Sequence, residues 1–297
     1  MLDESLTERR NPASEGIDAL PLERALAIIN AEDAKVAAAV ERAIPQIARA
    51  VEAIAARMER GGRLFYAGAG SSGRLGVLDA VECPPTFNVT PEAVQGILAG
   101  GEAALACATE ASEDDPALGA HDLDARGFTA ADALVGIAAS GRTPYVLGAV
   151  GRARELGAFT AGIVCTPRSA LARAVEIPME LLVGPEVIAG STRMKAGTAT
   201  KMALNMISTA TMIRLGHVYG NLMVNVQPAN AKLRERAIGI VAEAGGVDLG
   251  CAAELLEHAG GTVKTAIVMG RLGVAREAAE ERLRAAGGRV SEALQHG

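Results

Sequence analysis

The sequence has no tryptophan and few other aromatic residues, with four phenylalanines and three tyrosines among 297 residues. Proteins that bind single-stranded nucleic acid usually stack the bases on aromatic side chains, so this scarcity argues against such a surface. The net charge of -6 also differs from the basic footprint of a nucleic-acid-binding protein. We therefore expect no nucleic-acid partner.

Cysteines and long apolar runs are also scarce. The cysteines are Cys83, Cys107, Cys165 and Cys251. No two of them have the spacing of a zinc site, so we expect all four to be small packing residues and expect no bound metal. No apolar run approaches the roughly 18 residues of a transmembrane helix, and the acidic first five residues do not form a secretory signal. These features predict a cytoplasmic protein without a membrane partner.

Apolar and charged residues make up 49% and 22% of the chain, as in ordinary folded proteins. Residues 22–60 show helical spacing, which predicts one or two helices with Pro45 at a break or in a first turn. Short apolar runs ending in small residues then predict strands at 63–67, 93–98, 133–138, 160–164 and 177–182. A long helix at 196–215 and further helices after residue 230 follow. Strands that are apolar on both faces predict a parallel sheet covered by helices on both sides.

The first predicted strand runs into the glycine turn Gly68–Gly73. Its glycine spacing satisfies the dinucleotide-binding pattern, but the acidic residue which that pattern needs about 20 residues later is absent. We also expect Pro84 and Pro85 to cut the following helix short. The alternative is a phosphate site, in which the helix N-terminus faces the anion and Ser71 and Ser72 add hydroxyl groups. A plain strand-to-helix turn remains possible, and the two serines favour the phosphate.

Two later segments have a similar composition. The third predicted strand is followed by a turn that contains Ser140 and Thr143. Because the ends of parallel strands meet at one edge of a sheet, this turn and the glycine turn suit a single phosphate. The segment 190–201 places hydroxyls and two of the five lysines, Lys195 and Lys201, at the start of the long helix. It is either another anion site or a capped, solvated helix start.

Several carboxylates are candidates for proton transfer. Asp79 and Glu82 share one helix face, and Glu110 and Glu113 have the same spacing. A solvated acidic surface explains most such residues. Glu82 differs because it lies between an apolar residue and a cysteine, a setting that we expect to withdraw it from water and raise its pKa. The four histidines are scattered, and His217, after the long helix, is at a place that favours positive charge.

Taken together, these motifs resemble one family. They are the Glu82–Thr86 string Glu-Cys-Pro-Pro-Thr beside the serine turn, the segments 136–145 and 191–201, and 220–224. They are similar to the N-acetylmuramic acid 6-phosphate etherases, which have the sugar-isomerase (SIS) fold, and the likeness covers nearly the whole chain. It implies a three-layer αβα parallel sheet with N-terminal helices and a small C-terminal helical bundle. We expect segments at 1–54, 55–218 (the phosphosugar-binding domain) and 219–297.

The resemblance implies a lyase that cleaves the D-lactyl ether of N-acetylmuramic acid 6-phosphate to N-acetylglucosamine 6-phosphate and D-lactate. It implies no metal or organic cofactor and a homodimer with its site near the subunit interface. Glu82 is then the general acid/base, Glu113 is a second acid/base or an orienting group, and Glu110 holds a sugar hydroxyl. The predicted phosphate ligands are Gly70, Ser71, Ser72, Ser140, Thr143 and Lys195. Related isomerases open the sugar ring with a histidine, but no histidine of this chain lies at a position to which the resemblance carries that role, and His217 is only a guess.

Two other functions remain open from the sequence. One is a sugar-phosphate sensor like the glucokinase regulatory protein, although that protein has two SIS units and this chain has room for one. The other is a phosphosugar isomerase, which moves a proton between C1 and C2 without cleaving an ether. A DNA-binding regulator is disfavoured because the first 60 residues are not basic. Release of D-lactate distinguishes the etherase from all of these.

Overall fold

The computed structural model describes residues 6–107, 112–228 and 230–295. The described part of the chain forms two compact units. The first runs to Val81 and resumes from Pro91 to Ser208, and the second consists of Glu82–Thr90 and the residues from Thr209 onward. The division at residues 54 and 218 stays a prediction.

The first unit begins with short 3-10 turns at Pro12–Ser14 and Ile17–Ala19, followed by three helices. They are α1 (Leu22–Asp33), α2 (Val36–Glu41) and α3 (Ile44–Met58). The prediction of one or two helices was therefore too low, because the two breaks carry neither glycine nor proline. Pro45 lies in the first turn of α3, where a missing N–H costs no helical hydrogen bond.

The central sheet contains five parallel strands, all close to their predicted positions. They are β1 (Leu64–Gly68), β2 (Val94–Leu98), β3 (Ala133–Ile137), β4 (Phe159–Val164) and β5 (Ile177–Glu180), in the order β2-β1-β3-β4-β5. The helices after β1 are α4 (Gly70–Phe87), α5 (Ala103–Ala106), α6 (Pro116–Ala125), α7 (Pro144–Glu155), α8 (Ala170–Ala174) and α9 (Lys195–Arg214). The N-terminal parts of α4 and α9 belong to this unit, and their C-terminal parts belong to the second.

Helices cover both faces of the sheet. Phe65 and Leu134 point to one face and share a buried core with Val146 of α7. On the other face, a Cβ at Gly76 of α4 would lie 3.0 Å from the Cβ of Tyr66, so that helix packs closely there. The predicted three-layer parallel architecture is confirmed.

The prediction that Pro84 and Pro85 cut the helix short was wrong, because α4 continues through both to Phe87. A proline cannot donate to the carbonyl four residues earlier, but its own carbonyl still accepts. The Asn88 N–H donates to the Pro84 carbonyl at 2.9 Å and so continues the hydrogen-bond pattern past the helix end. Two prolines in the last turn thus weaken that turn without ending the helix before it.

The second unit contains a two-stranded hairpin and five helices. The hairpin pairs β6 (Val218–Tyr219) with β7 (Leu222–Met223), and its strands were not predicted. The helices are α10 (Ala231–Gly245), α11 (Leu249–His258), α12 (Val263–Leu272), α13 (Arg276–Ala285) and α14 (Val290–Gln295). They confirm the predicted C-terminal bundle, and residues such as Val241 and Ile267 form its buried core. None of the helices in the described residues has both the length and the apolarity needed to cross a membrane.

The cysteines are all free thiols, but they do not all pack. Cys83 and Cys165 are buried, and Cys251 is half-buried. Cys107 is exposed, so its predicted packing role was wrong. It is the residue at which the four-residue helix α5 ends, and such a short helix provides little surface to cover it.

Gly73 and Gly151 provide a matched pair of helical glycines. A Cβ at Gly73 would lie 2.5 Å from both the Gly68 carbonyl oxygen and Leu98 Cδ1, whereas one at Gly151 would meet nothing within 4 Å. We expect Gly73→Ala to lower the free energy of unfolding by about 1–3 kcal/mol because the backbone must shift. Gly151→Ala should raise it by up to about 1 kcal/mol through helix propensity. Urea unfolding measures both, and changes of the same sign would contradict the proposed packing.

Candidate active site

Two hydroxyl-bearing turns leave the sheet side by side. Gly68, the last residue of β1, is the register partner of Ile137, the last residue of β3. Neighbouring strands lie about 4.8 Å apart, so the turns begin next to each other, as predicted. In a sheet of this order, β1 and β3 flank the point where the chain connections diverge to opposite faces. That point opens the crevice in which such folds bind ligands.

The first turn is compact because its glycines approach each other closely. A Cβ at Gly68 would lie 2.7 Å from the Gly73 nitrogen, and Gly70 has a positive φ of 52°. Only Ala69 separates β1 from α4. Ser71 and Ser72 therefore lie in the first turn of α4, half-buried, where backbone N–H groups have no partner within the helix.

The second turn follows β3 and is also tight. The Arg142 N–H donates to Ser140 Oγ at 3.4 Å, and a Cβ at Gly141 would lie 2.1 Å from Ser169 Oγ. Thr143 is the residue before α7, but its side chain makes no capping bond to that helix. Its hydroxyl is thus available for another interaction.

Thr143 contacts a second predicted site residue. Its Oγ1 donates to Glu113 Oε1 at 3.3 Å, and the Tyr145 N–H donates to the Glu113 carbonyl at 3.1 Å. The loop before α6 is in this way attached to the start of α7, so Glu113 lies beside the Ser140–Thr143 turn. The predicted sugar-hydroxyl ligand Glu110 lies outside the described residues.

Lys195 has an internal partner. Its ammonium lies 2.6 Å from Glu32 Oε2, and the side chains are 1% and 4% exposed. Asn11 donates to the same oxygen at 2.9 Å, and Lys35 pairs with Oε1. Burial alone would raise the Glu32 pKa, but the hydrogen bonds from Lys195, Lys35 and Asn11 lower it to about 2. The role of Lys195 as a phosphate ligand stays a prediction, and it requires the ammonium to leave Glu32.

The start of α9 also has an internal anion. Glu186 accepts from the N–H groups of Lys195 at 3.0 Å and Ala196 at 2.9 Å, and burial raises its pKa. This carboxylate occupies the amides that the sequence suggested for a bound anion. One feature of the sequence indicates such a distant cap. Met194, the residue before α9, has no side-chain group that caps a helix, so the capping acceptor comes from another segment.

Asp79 is buried, contrary to the expectation of a solvated acidic face. Its carboxylate accepts from Tyr66 Oη at 2.9 Å, Asn205 Nδ2 at 2.8 Å and Ser208 Oγ at 3.2 Å, and burial raises its pKa. Burial on α4 places it between β1 and α9. Asp79 therefore links those elements within the first unit.

Glu82 is exposed, so the expected withdrawal from water was wrong for the chain by itself. Its neighbour Val81 is 57% exposed, and only Cys83 is buried. Successive helix residues point about 100° apart, so an apolar sequence neighbour does not cover a side chain on α4. Glu82 lies ten residues after Ser72 on this helix and belongs to the second unit.

His217 lies at a place that the sequence suggested as favourable for positive charge, but its surroundings keep its ring neutral at neutral pH. Burial and then the nearby Lys264 lower its pKa to about 4, while a hydrogen bond with the Phe87 backbone acts in the opposite direction. The loss of hydration outweighs the attraction of a helix C-terminus for a cation.

Comparison with known proteins assigns the family. A model of the glucokinase regulatory protein N-terminal SIS domain matches residues 46–154. A protein of Aeromonas hydrophila named N-acetylmuramic acid 6-phosphate etherase is 54% identical over 291 residues, which cover 98% of each chain. This chain belongs to the N-acetylmuramic acid 6-phosphate etherase family. Family members of that name from an Exiguobacterium species and Mycolicibacterium smegmatis are 53% and 50% identical, covering 99% and 98% of this chain and 100% and 98% of their own.

Among solved structures, a phosphoheptose isomerase from Neisseria gonorrhoeae aligns with 64% of this chain and 98% of its own. Its TM-score is 0.49 and its sequence identity is 18%.

Lys195 and Glu32 can be tested as a buried pair. Lys195→Met should lower the free energy of unfolding by about 3–5 kcal/mol because it leaves the Glu32 carboxylate without its buried cation and with only Asn11 and the exposed Lys35 as partners. Combining it with Glu32→Gln should cost less than the two single changes added together. Lys232→Met, at an exposed lysine, is the control and should change little. Additive costs in urea unfolding would contradict the pair.

Proposed function

We propose that this protein is an N-acetylmuramic acid 6-phosphate etherase, a carbon-oxygen lyase acting in cell-wall amino-sugar recycling. The reaction cleaves the D-lactyl ether with water and gives N-acetylglucosamine 6-phosphate and D-lactate. The observation that carries the proposal is the 54% identity with a protein of that name over 98% of both chains. The two adjacent hydroxyl turns support a phosphorylated ligand independently of that name.

The phosphate is proposed to bind at the edge of the sheet between β1 and β3. The first-turn N–H groups of α4 and the positive end of its dipole favour a dianion there. Ser71 and Ser72 provide hydroxyl donors from one side, with Gly70 allowing close approach of the backbone, and Ser140 provides one from the other. Thr143 has one hydroxyl hydrogen, so it donates to the phosphate only when it turns from Glu113. Glu113, whose Oε1 lies 3.3 Å from Thr143 Oγ1, is then close enough to orient the sugar.

Glu82 is proposed as the acid/base. The open-chain sugar has an aldehyde at C1, which makes the C2 proton acidic enough for a carboxylate to remove. The C3–O bond then breaks, and the proton passes from Glu82 to the departing lactate oxygen. In the second half, Glu82 takes a proton from the water that adds to C3 and returns it to C2. A carboxylate suits this exchange because it can both take and return a proton. The Glu82 side chain is exposed and therefore accessible to a ligand.

The assignment of Glu82, the homodimer and the cytoplasmic location come from the family resemblance. The string Glu-Cys-Pro-Pro-Thr at 82–86 carries the acid/base assignment residue by residue. The homodimer and the location are proposed on the resemblance alone.

Glu82→Gln tests the mechanism. It should reduce D-lactate release from N-acetylmuramic acid 6-phosphate by at least about 100-fold, because the amide cannot take the C2 proton. Exchange of the C2 hydrogen of N-acetylglucosamine 6-phosphate with deuterated water should fall equally, while the affinity for this product stays within about threefold. Glu243→Gln, at an exposed position of the second unit, should behave as wild type.

Two results would overturn the proposal. Absence of D-lactate release by the wild-type protein would favour a sensor or an isomerase. Undiminished turnover by Glu82→Gln would assign the proton transfers to another residue.

A further inference from the structure

Two side chains of the second unit hold the end of α4. Asn225 Nδ2 donates to the carbonyl of Phe87, the last residue of the helix, at 2.7 Å, and lies 3.5 Å from the Asn88 carbonyl. The same nitrogen lies 2.9 Å from His217 Nδ1. We call Asn225 and His217 the Phe87 clamp. Both residues and the end of the helix belong to one compact unit.

The last turn of α4 depends on outside partners. The last four carbonyls of any helix have no N–H donor within that helix. Here, Pro84 and Pro85 also remove two N–H donors from the turn. Asn88, directly after the helix, has a φ of 52°, the left-handed conformation in which helices often end and which asparagine adopts more readily than most residues. The Phe87 clamp contacts this end of the helix, because Asn225 Nδ2 lies 2.7 Å from the Phe87 carbonyl and 3.5 Å from the Asn88 carbonyl.

The hydrogen bonds of the Phe87 clamp depend on which ring nitrogen of His217 carries a proton. The Asn225 amide nitrogen carries two hydrogens, and one is donated to the Phe87 carbonyl. His217 Nδ1 lies 2.9 Å from this nitrogen, and it can accept the second hydrogen only in the tautomer that leaves Nδ1 unprotonated. A neutral ring agrees with its burial and with the proximity of Lys264, whose own ammonium donates to the Gly288 carbonyl at 3.1 Å.

We propose that His217 and Asn225 are positioning residues for Glu82. Glu82 lies five residues before Phe87 on the same helix, about one and a half turns from the end that the Phe87 clamp holds. Holding the Phe87 carbonyl therefore fixes the direction in which the Glu82 side chain leaves the helix. The inference rests on the proposed function, in which Glu82 carries the proton, and it gives His217 a different role from sugar-ring opening.

The proposal predicts a loss of kcat without a loss of binding. Removing the clamp should misplace Glu82 by a fraction of an ångström to an ångström, which typically lowers the rate by about 10- to 100-fold. The phosphate turns are built from other residues, so KM should stay within about threefold. His217→Ala and Asn225→Asp should both show this pattern, because the first removes the acceptor and the second removes the donors.

A substitution that keeps the hydrogen-bond acceptor of His217 but not its imidazole distinguishes a positioning role from a chemical one. In His217→Asn the side-chain oxygen takes the place of Nδ1 and can accept from Asn225, so kcat should return to within about threefold of wild type. His217→Gln places its amide where Nε2 was and should stay impaired. His258→Ala, at an exposed histidine of α11, is the control and should be fully active. Thermal unfolding establishes that each variant is folded, and the Asn/Gln comparison decides the matter if His217→Ala does not fold.

The outcomes are distinct. Wild-type kcat in His217→Ala and Asn225→Asp overturns the inference. Equal impairment of His217→Asn and His217→Gln, both folded, also overturns it, because the imidazole itself would then be needed. Turnover by Glu82→Gln refutes the proposed acid/base regardless of the clamp, whereas an inactive Glu82→Gln with active clamp variants refutes the positioning role alone.

Discussion

The close approach of Gly68 and Gly73 is the constraint on which the rest of the site depends. A side chain at either position would collide with the backbone of the other, and because both are glycines, α4 can begin with only Ala69 between it and β1. This places the free amides and serines of the first helical turn at the sheet edge. The turn after β3 leaves the same edge from the neighbouring strand. The proposed phosphate site takes its donors on two sides from that geometry.

Internal carboxylates occupy several of the polar groups that the sequence suggested for ligand binding. Glu32 is paired with Lys195, Glu186 caps α9, and Asp79 accepts three side-chain hydrogen bonds in the core. Each has a structural task, and each would leave unpaired polar groups behind if it turned to a substrate. Glu82, which is exposed, and Glu113, beside Thr143, are placed differently. The distinction between the structural acids and the two proposed to act on the substrate therefore rests on their partners rather than on residue type.

The sequence predicted elements better than partners. All five strands were predicted because each is a short apolar run, and the common edge of the two turns followed from parallel pairing. The contact between Thr143 and Glu113 spans 30 residues, and that between Lys195 and Glu32 spans 163. No local pattern encodes such contacts, since they arise only when distant elements pack together.

Errors at single residues have equally physical causes. Glu82 was expected to be covered by its sequence neighbours, but neighbours on a helix face different directions. His217 lies after a helix, at a place that favours positive charge, but burial dominates its pKa. The prolines at 84 and 85 were read as a helix stop, although proline still accepts hydrogen bonds. In each case a local rule was outweighed by the environment that the fold supplies.

The most direct test of the account is the affinity of the protein for N-acetylglucosamine 6-phosphate compared with N-acetylglucosamine, measured by calorimetry in wild type and in Ser72→Ala and Ser140→Ala. The account predicts that each substitution weakens binding of the phosphorylated sugar by about 10-fold or more, the effect of losing one hydrogen bond to a charged group, and leaves the weak binding of the unphosphorylated sugar unchanged. Undiminished affinity for the phosphosugar in both variants, or tighter binding of an adenine nucleotide than of the phosphosugar by the wild-type protein, would contradict it.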